Sequence, residues 1–138
     1  MRPETDLVIV HCSATPPSMD IGALEIDRYH REEGWLEIGY HYVIRLDGAI
    51  ETGRNPDAVG AHARGYNKRS IGVCLVGGVD DDFNPEDTFS GAQIGALQKL
   101  VAWIRNWYGD VQVIGHNEVS AKACPSFNVS ERLPGLTD

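Results

Sequence analysis

A histidine, a lysine and a cysteine, His116, Lys122 and Cys124, fall within nine residues of one another, in a stretch (residues 115–127) that reads Gly-His-Asn-Glu-Val-Ser-Ala-Lys-Ala-Cys-Pro-Ser-Phe. The stretch is too rich in small and polar residues to be a core helix, so these side chains are available for chemistry. Imidazole nitrogen and thiolate sulfur are the donors that Zn²⁺ prefers. Two ligands do not make a catalytic zinc site, and His11, at the end of the apolar run 7–10, is the best third candidate. A zinc ion with three protein ligands keeps a fourth position for water and lowers that water's pKa towards ~7. It also polarises a carbonyl, so the reaction expected is hydrolysis of an amide or ester. A thiolate ligand donates charge, and the developing oxyanion then gains from a nearby cation or hydroxyl. Lys122 and Tyr40 are the candidates for that task.

Each residue taken alone has a plainer explanation. A histidine at a strand end is usually a satisfied core or surface residue, Tyr40 could be packing and Lys122 could be solvated. Cys124 could also be a nucleophile with His116 as its base, a cysteine hydrolase rather than a zinc enzyme. Glu118 is the nearest carboxylate in sequence, either a base or a surface charge. The three cysteines, Cys12, Cys74 and Cys124, cannot all pair within one chain, and a reducing compartment makes disulfides unfavourable. Cys74 lies inside an apolar run and reads as a buried small hydrophobe.

The elements that must carry these residues follow from local pattern. Residues 7–10, Leu-Val-Ile-Val, form a strand of the kind covered on both faces, with 11–17 a loop leaving its carboxyl end. In open α/β sheets ligands collect at that end. Ser18 or Asp20 caps a helix running to about Glu33, with Ala23, Ile26, Tyr29 and His30 on one face and Gly34 as its stop. Residues 39–45 form a strand placing Tyr40 and His41 on opposite sides, and Asp47-Gly48 turns it into a second strand, 49–52. Residues 53–69 are irregular and carry His62 and Asn67. A strand over 71–76 ends at Gly77-Gly78, and 79–89 is a solvated acidic loop. Ser90 and Gln93 form a capping box for a helix showing Ile94, Leu97, Leu100, Val101, Ile104 and Trp107 at helical spacing, stopped by Gly109. A last strand, 111–114, precedes His116, and a short helix over 129–133 closes the chain. Strands and helices interleave, so the expected class is α/β with a mixed sheet.

The 138 residues suit one domain, are 42% hydrophobic and 23% charged, and carry a net charge of −8. That charge argues against non-specific nucleic-acid binding. No run approaches the ~20 apolar residues of a membrane span, and residues 1–6 lack the apolar stretch of a secretory signal.

The motifs resemble the zinc-dependent N-acetylmuramoyl-L-alanine amidases of the type 2 class, a family that includes the peptidoglycan recognition proteins, and are most similar to its small phage endolysins. The resemblance runs through residues 10–15, 34–42, 47–54, 59–63, 65–67, 70–78 and 116–127, nearly the whole chain. It implies a single amidase catalytic domain over 1–138 and a central mixed sheet of about five strands flanked by helices, with a zinc cleft at one sheet edge. It implies His11, His116 and Cys124 as ligands of one Zn²⁺, and Tyr40 and Lys122 as catalytic residues. His62 is expected to line the cleft and contact substrate, and Asn67 to sit on the same substrate side, bracing the loop that carries His62. The bond implied is the amide between the lactyl group of N-acetylmuramic acid and L-alanine in peptidoglycan. Such an enzyme would be made in the host cytoplasm, act as a monomer, and reach the wall after a holin opens the inner membrane. Some phage members also bind and inhibit a phage RNA polymerase, a further partner to expect, although only residues 1–6 precede the first strand. Members that bind peptidoglycan without cutting it lack the cysteine ligand, which Cys124 supplies here.

Overall fold

The computed structural model describes residues 4–137. Five strands form one sheet in the order β3-β2-β4-β1-β5. They are β1 (Leu7–Cys12), β2 (Tyr42–Ile44), β3 (Ile50–Thr52), β4 (Ser70–Leu75) and β5 (Gln112–Gly115). β1 pairs in parallel with both β4 and β5, β2 runs parallel to β4, and β3 returns antiparallel on β2. The sheet is therefore mixed, as the interleaved pattern predicts.

Alternation along β1 assigns its two faces. Val8, Val10 and Cys12 pack with Leu97, Leu100, Val101 and Ile104 of α2 (Gly91–Tyr108). Leu7 and Ile9 pack instead with Ala63 of the irregular loop, and Val43 and Cys74 pack with Ile26 of α1 (Ala23–Glu32). Covering on both sides leaves every residue of β1 and β4 buried. His11 is the next residue after Leu7 and Ile9 on the α1 side, at the carboxyl end of the central strand.

The capping box of α2 forms as expected: Gln93 N–H donates to Ser90 Oγ at 3.2 Å and Ser90 N–H to Gln93 Oε1 at 3.2 Å. The buried Gln93 amide then donates to the Val76 carbonyl at 2.8 Å, tying the helix to the end of β4. Trp107 departs from its expected core position and is 68% exposed, because the buried face continues from Ile104 to Tyr108 at four residues' spacing.

The cap of α1 also differs from expectation. Gly22, not Ser18 or Asp20, begins the helix. Its N–H donates to Glu25 at 2.7 Å, and Ala23 N–H donates to Glu51 of β3 at 2.8 Å, while Asp20 pairs with Arg45 at 3.1 Å. A carboxylate arriving from a distant strand takes the role that a local hydroxyl usually plays.

The strand expected over 39–45 is shorter. Gly39 and Tyr40 leave the sheet because their carbonyls accept from Ala61 and Arg54 of the loop that follows, at 3.1 and 2.9 Å. Tyr40 is thus placed just before β2 rather than in it. Conversely, His11 and Cys12 belong to β1, not to a loop, because parallel pairing with Cys74 and Leu75 extends that far. Two short helices, α3 (Val129–Arg132) and α4 (Pro134–Thr137), close the chain. Among the described residues, no helix is long and apolar enough to cross a membrane.

Candidate metal centre

Parallel pairing of β1 with β5 sets the carboxyl ends of the two strands side by side, with Val10 opposite Gly115. His11 ends the inward face of one strand, and His116 opens a short 3₁₀ turn directly after the other. Their rings come within 4.4 Å, centroid to centroid. The loop after His116 folds back so that Cys124 Sγ accepts the Cys12 N–H at 3.0 Å. One donor atom from each of His11, His116 and Cys124 lies within 4.8 Å of the other two. Donors sharing one zinc at about 2.0–2.3 Å each must come this close.

Chemistry at the three positions fits a divalent ion. His116 Nδ1 is buried without a hydrogen-bond partner among the described residues. A buried nitrogen left so is costly unless something outside the chain uses its lone pair. Burial holds His11 well below the ordinary histidine range, helped by the neighbouring His62, His116 and Lys122. Burial and Lys122 lower His116 likewise. Both rings are therefore neutral at pH 7, the form that ligates. The contact between the Cys12 and Cys124 sulfurs lets one proton leave readily and holds the other: Cys12 is drawn down to about 7 and Cys124 pushed up. A cation beside Cys124 would move that charge onto its sulfur, where the Cys12 N–H already points.

These residues sit in a cleft of about 530 Å³ that Tyr40, His62 and Lys122 also line. The Tyr40 ring lies tilted against the His11 ring, 4.9 Å from it centroid to centroid. Burial, with Cys74, Cys124 and Cys12 nearby, raises its phenol well above the usual tyrosine range, so it stays protonated. Lys122 stands exposed on the rim. His62 Nδ1 lies 2.9 Å from His11 Nε2. Asn67 stands behind that loop, its Oδ1 accepting the N–H groups of His62 and Ala63 at 2.9 Å each.

Glu118 lies near the site in sequence but turns away in function. Its carboxylate accepts the Gly115 N–H at 2.6 Å and caps the turn that presents His116. His41 is fully buried: its Nδ1 accepts the Gly72 N–H at 3.0 Å and its Nε2 faces the Ala58 carbonyl at 2.8 Å, pinning the loop to the sheet. One wall of the cleft comes from His30, Glu33 and Trp35 at the end of α1, which sequence reasoning did not single out for the site. Their one signal is a large aromatic residue directly after a helix-stopping glycine.

Two histidines and a cysteine thus converge at the ends of parallel strands in a mixed sheet, and the chain belongs to the N-acetylmuramoyl-L-alanine amidase family, whose model matches residues 1–127. The chain is similar to the endolysin of Klebsiella phage KP32, with 50% identity over 93% of this chain and 85% of that one. Among solved structures it resembles the N-acetylmuramoyl-L-alanine amidase LysC from Clostridium intestinale, with a TM-score of 0.81 and 28% identity over 95% of this chain and 86% of that one. It also resembles a mutant of Drosophila PGRP-LB in complex with tracheal cytotoxin, with a TM-score of 0.76 and 26% identity, covering 100% of this chain and 86% of that one.

Proposed function

We propose that this chain is a zinc-dependent amidase that cuts peptidoglycan between the lactyl group of N-acetylmuramic acid and L-alanine, as a phage endolysin. The amidase and endolysin assignments follow from the family and its relatives. One structural observation carries the zinc reading: donor atoms of His11, His116 and Cys124 within 4.8 Å of one another, one of the three residues bearing an unpartnered buried nitrogen. Those three residues would hold the ion. Bound there, it supplies Lewis acidity to a water and to the scissile carbonyl.

The chain's own groups do the rest. Lys122 brings a positive charge to the rim, where it stabilises the negative charge that develops on the carbonyl oxygen. Tyr40, held as a neutral phenol, donates a hydrogen bond to that oxygen or relays the proton that the attacking water loses on to the departing amine, ending as a phenol again. The cleft excludes part of the solvent, which strengthens both effects. A muropeptide is the ligand class expected, in keeping with the tracheal cytotoxin held by the PGRP-LB relative. We place the enzyme, acting as a monomer, in the host cytoplasm until the inner membrane opens and gives it access to the wall.

The deciding experiment uses purified chain and isolated sacculi. Release of free L-alanine amino termini should stop with a strong chelator and return with Zn²⁺. Indifference to the chelator with inactivation by alkylation would establish the cysteine hydrolase instead. Retained wall binding with no release would establish a binding module.

A further inference from the structure

His62 has a second relationship that its place in the cleft does not explain. Ser70 Oγ–H donates to the Tyr66 carbonyl at 2.7 Å, and the same oxygen lies 3.2 Å from His62 Nε2. A hydroxyl has one proton. With that proton given to Tyr66, Ser70 can only accept from His62, so Nε2 of His62 carries the hydrogen. In neutral His62 the other nitrogen, Nδ1, is then a bare acceptor. It faces His11 Nε2 at 2.9 Å, which must therefore carry a hydrogen itself. The remaining nitrogen of His11, Nδ1, is left with a free lone pair.

The His62 ring is also fixed in place. A Cβ at Gly72 would lie 2.6 Å from its Cγ, and one at Gly60 would lie 2.7 Å from its Cδ2, so two glycines leave room for the ring and nothing more. Asn67 holds the backbone on which it stands.

We infer that Tyr66, Ser70 and His62 form a hydrogen-bond relay that sets the tautomer of His11 and presents Nδ1, not Nε2, to the metal. This rests on the zinc reading above and deepens it: His62 is a positioning residue acting through His11. Partners of this kind orient a ligating ring and raise its basicity, and losing one typically weakens metal affinity about 10–100-fold.

Two measurements test the relay. Long-range ¹H–¹⁵N NMR on metal-free, ¹⁵N-histidine-labelled protein at pH 7.5, about one unit above the ordinary histidine pKa, reads each tautomer directly. Both His11 and His62 should carry their hydrogen on Nε2. A His11 protonated at Nδ1 overturns the inference. Zinc competition against a chromogenic chelator should show His62→Leu weakened about 10–100-fold, with His62→Gln recovering most of it, because an amide oxygen can accept from His11. An affinity for His62→Leu within twofold of the parent chain overturns it as well. Should His62→Leu fail to fold, Ser70→Ala replaces it, and there the hydrogen of His62 should spread over both nitrogens. Failure of the parent chain to bind zinc at all would refute the metalloenzyme reading. The tautomers are read without metal and stand or fall separately.

Discussion

The backbone N–H of Cys12 points at the sulfur of Cys124 across 3.0 Å and a sequence separation of 112 residues. It closes the C-terminal loop onto β1 and aims a fixed dipole at the atom that must carry negative charge if a metal binds. Because the donor is backbone, Cys12→Ser keeps it. That variant should bind zinc normally and lose only about 1–3 kcal/mol of stability from a buried hydroxyl. Cys124→Ser should lose both metal and activity, and Cys74→Ser, inside β4, should lose stability alone. Metal content by elemental analysis and thermal melts separate the three.

Lys122→Ala should retain zinc and the fold while turnover falls about 10²–10³-fold, the usual loss when one oxyanion donor is removed. Full activity in this variant would remove Lys122 from the mechanism. Steady-state release of amino termini, with metal content checked beside it, reads the effect.

Tyr40→Phe keeps the ring against His11 and removes the proton. Zinc affinity should stay near that of the parent chain while kcat drops about 10²-fold or more. Equal loss of zinc would mean that the hydroxyl supports the ligands rather than the reaction.

The metal-free protein should lose stability on mild acidification. His11, His116 and His30 all have lowered pKa values, each chiefly through burial. The unfolded chain takes up protons near pH 6.5 while the folded chain refuses them. Stability from these groups is complete above about 6.5 and falls as pH drops below it. His30 adds a visible cause, since its Nδ1 accepts the Gly39 N–H at 3.0 Å and protonation breaks that bond. Melting temperatures at pH 8, 6.5 and 5 should decline in that order, and a flat profile would contradict the shifts.

In the core, Leu97 is fully buried between α2 and the sheet. Leu97→Ala should cost about 2–5 kcal/mol, a large share of the ~5–15 kcal/mol that holds a domain of this size. Chemical denaturation measures it.

Local sequence alone determined the elements whose signals are complete within a few residues. The Ser90–Gln93 capping box and the apolar spacing of α2 need no distant partner, nor do the runs that became β1 and β4, nor the Asp47-Gly48 turn, where Gly48 adopts φ 90°. Residue types and motif order likewise pointed to His11, His116, Cys124, Tyr40 and Lys122. Tertiary structure decided everything that depends on parallel pairing. The capping of α1 by Glu51, the departure of Tyr40 from the sheet and the contact of His62 with His11 all join residues that no local period relates. Parallel strands are linked through long crossovers, so register and side-chain meeting are set by packing of the whole core.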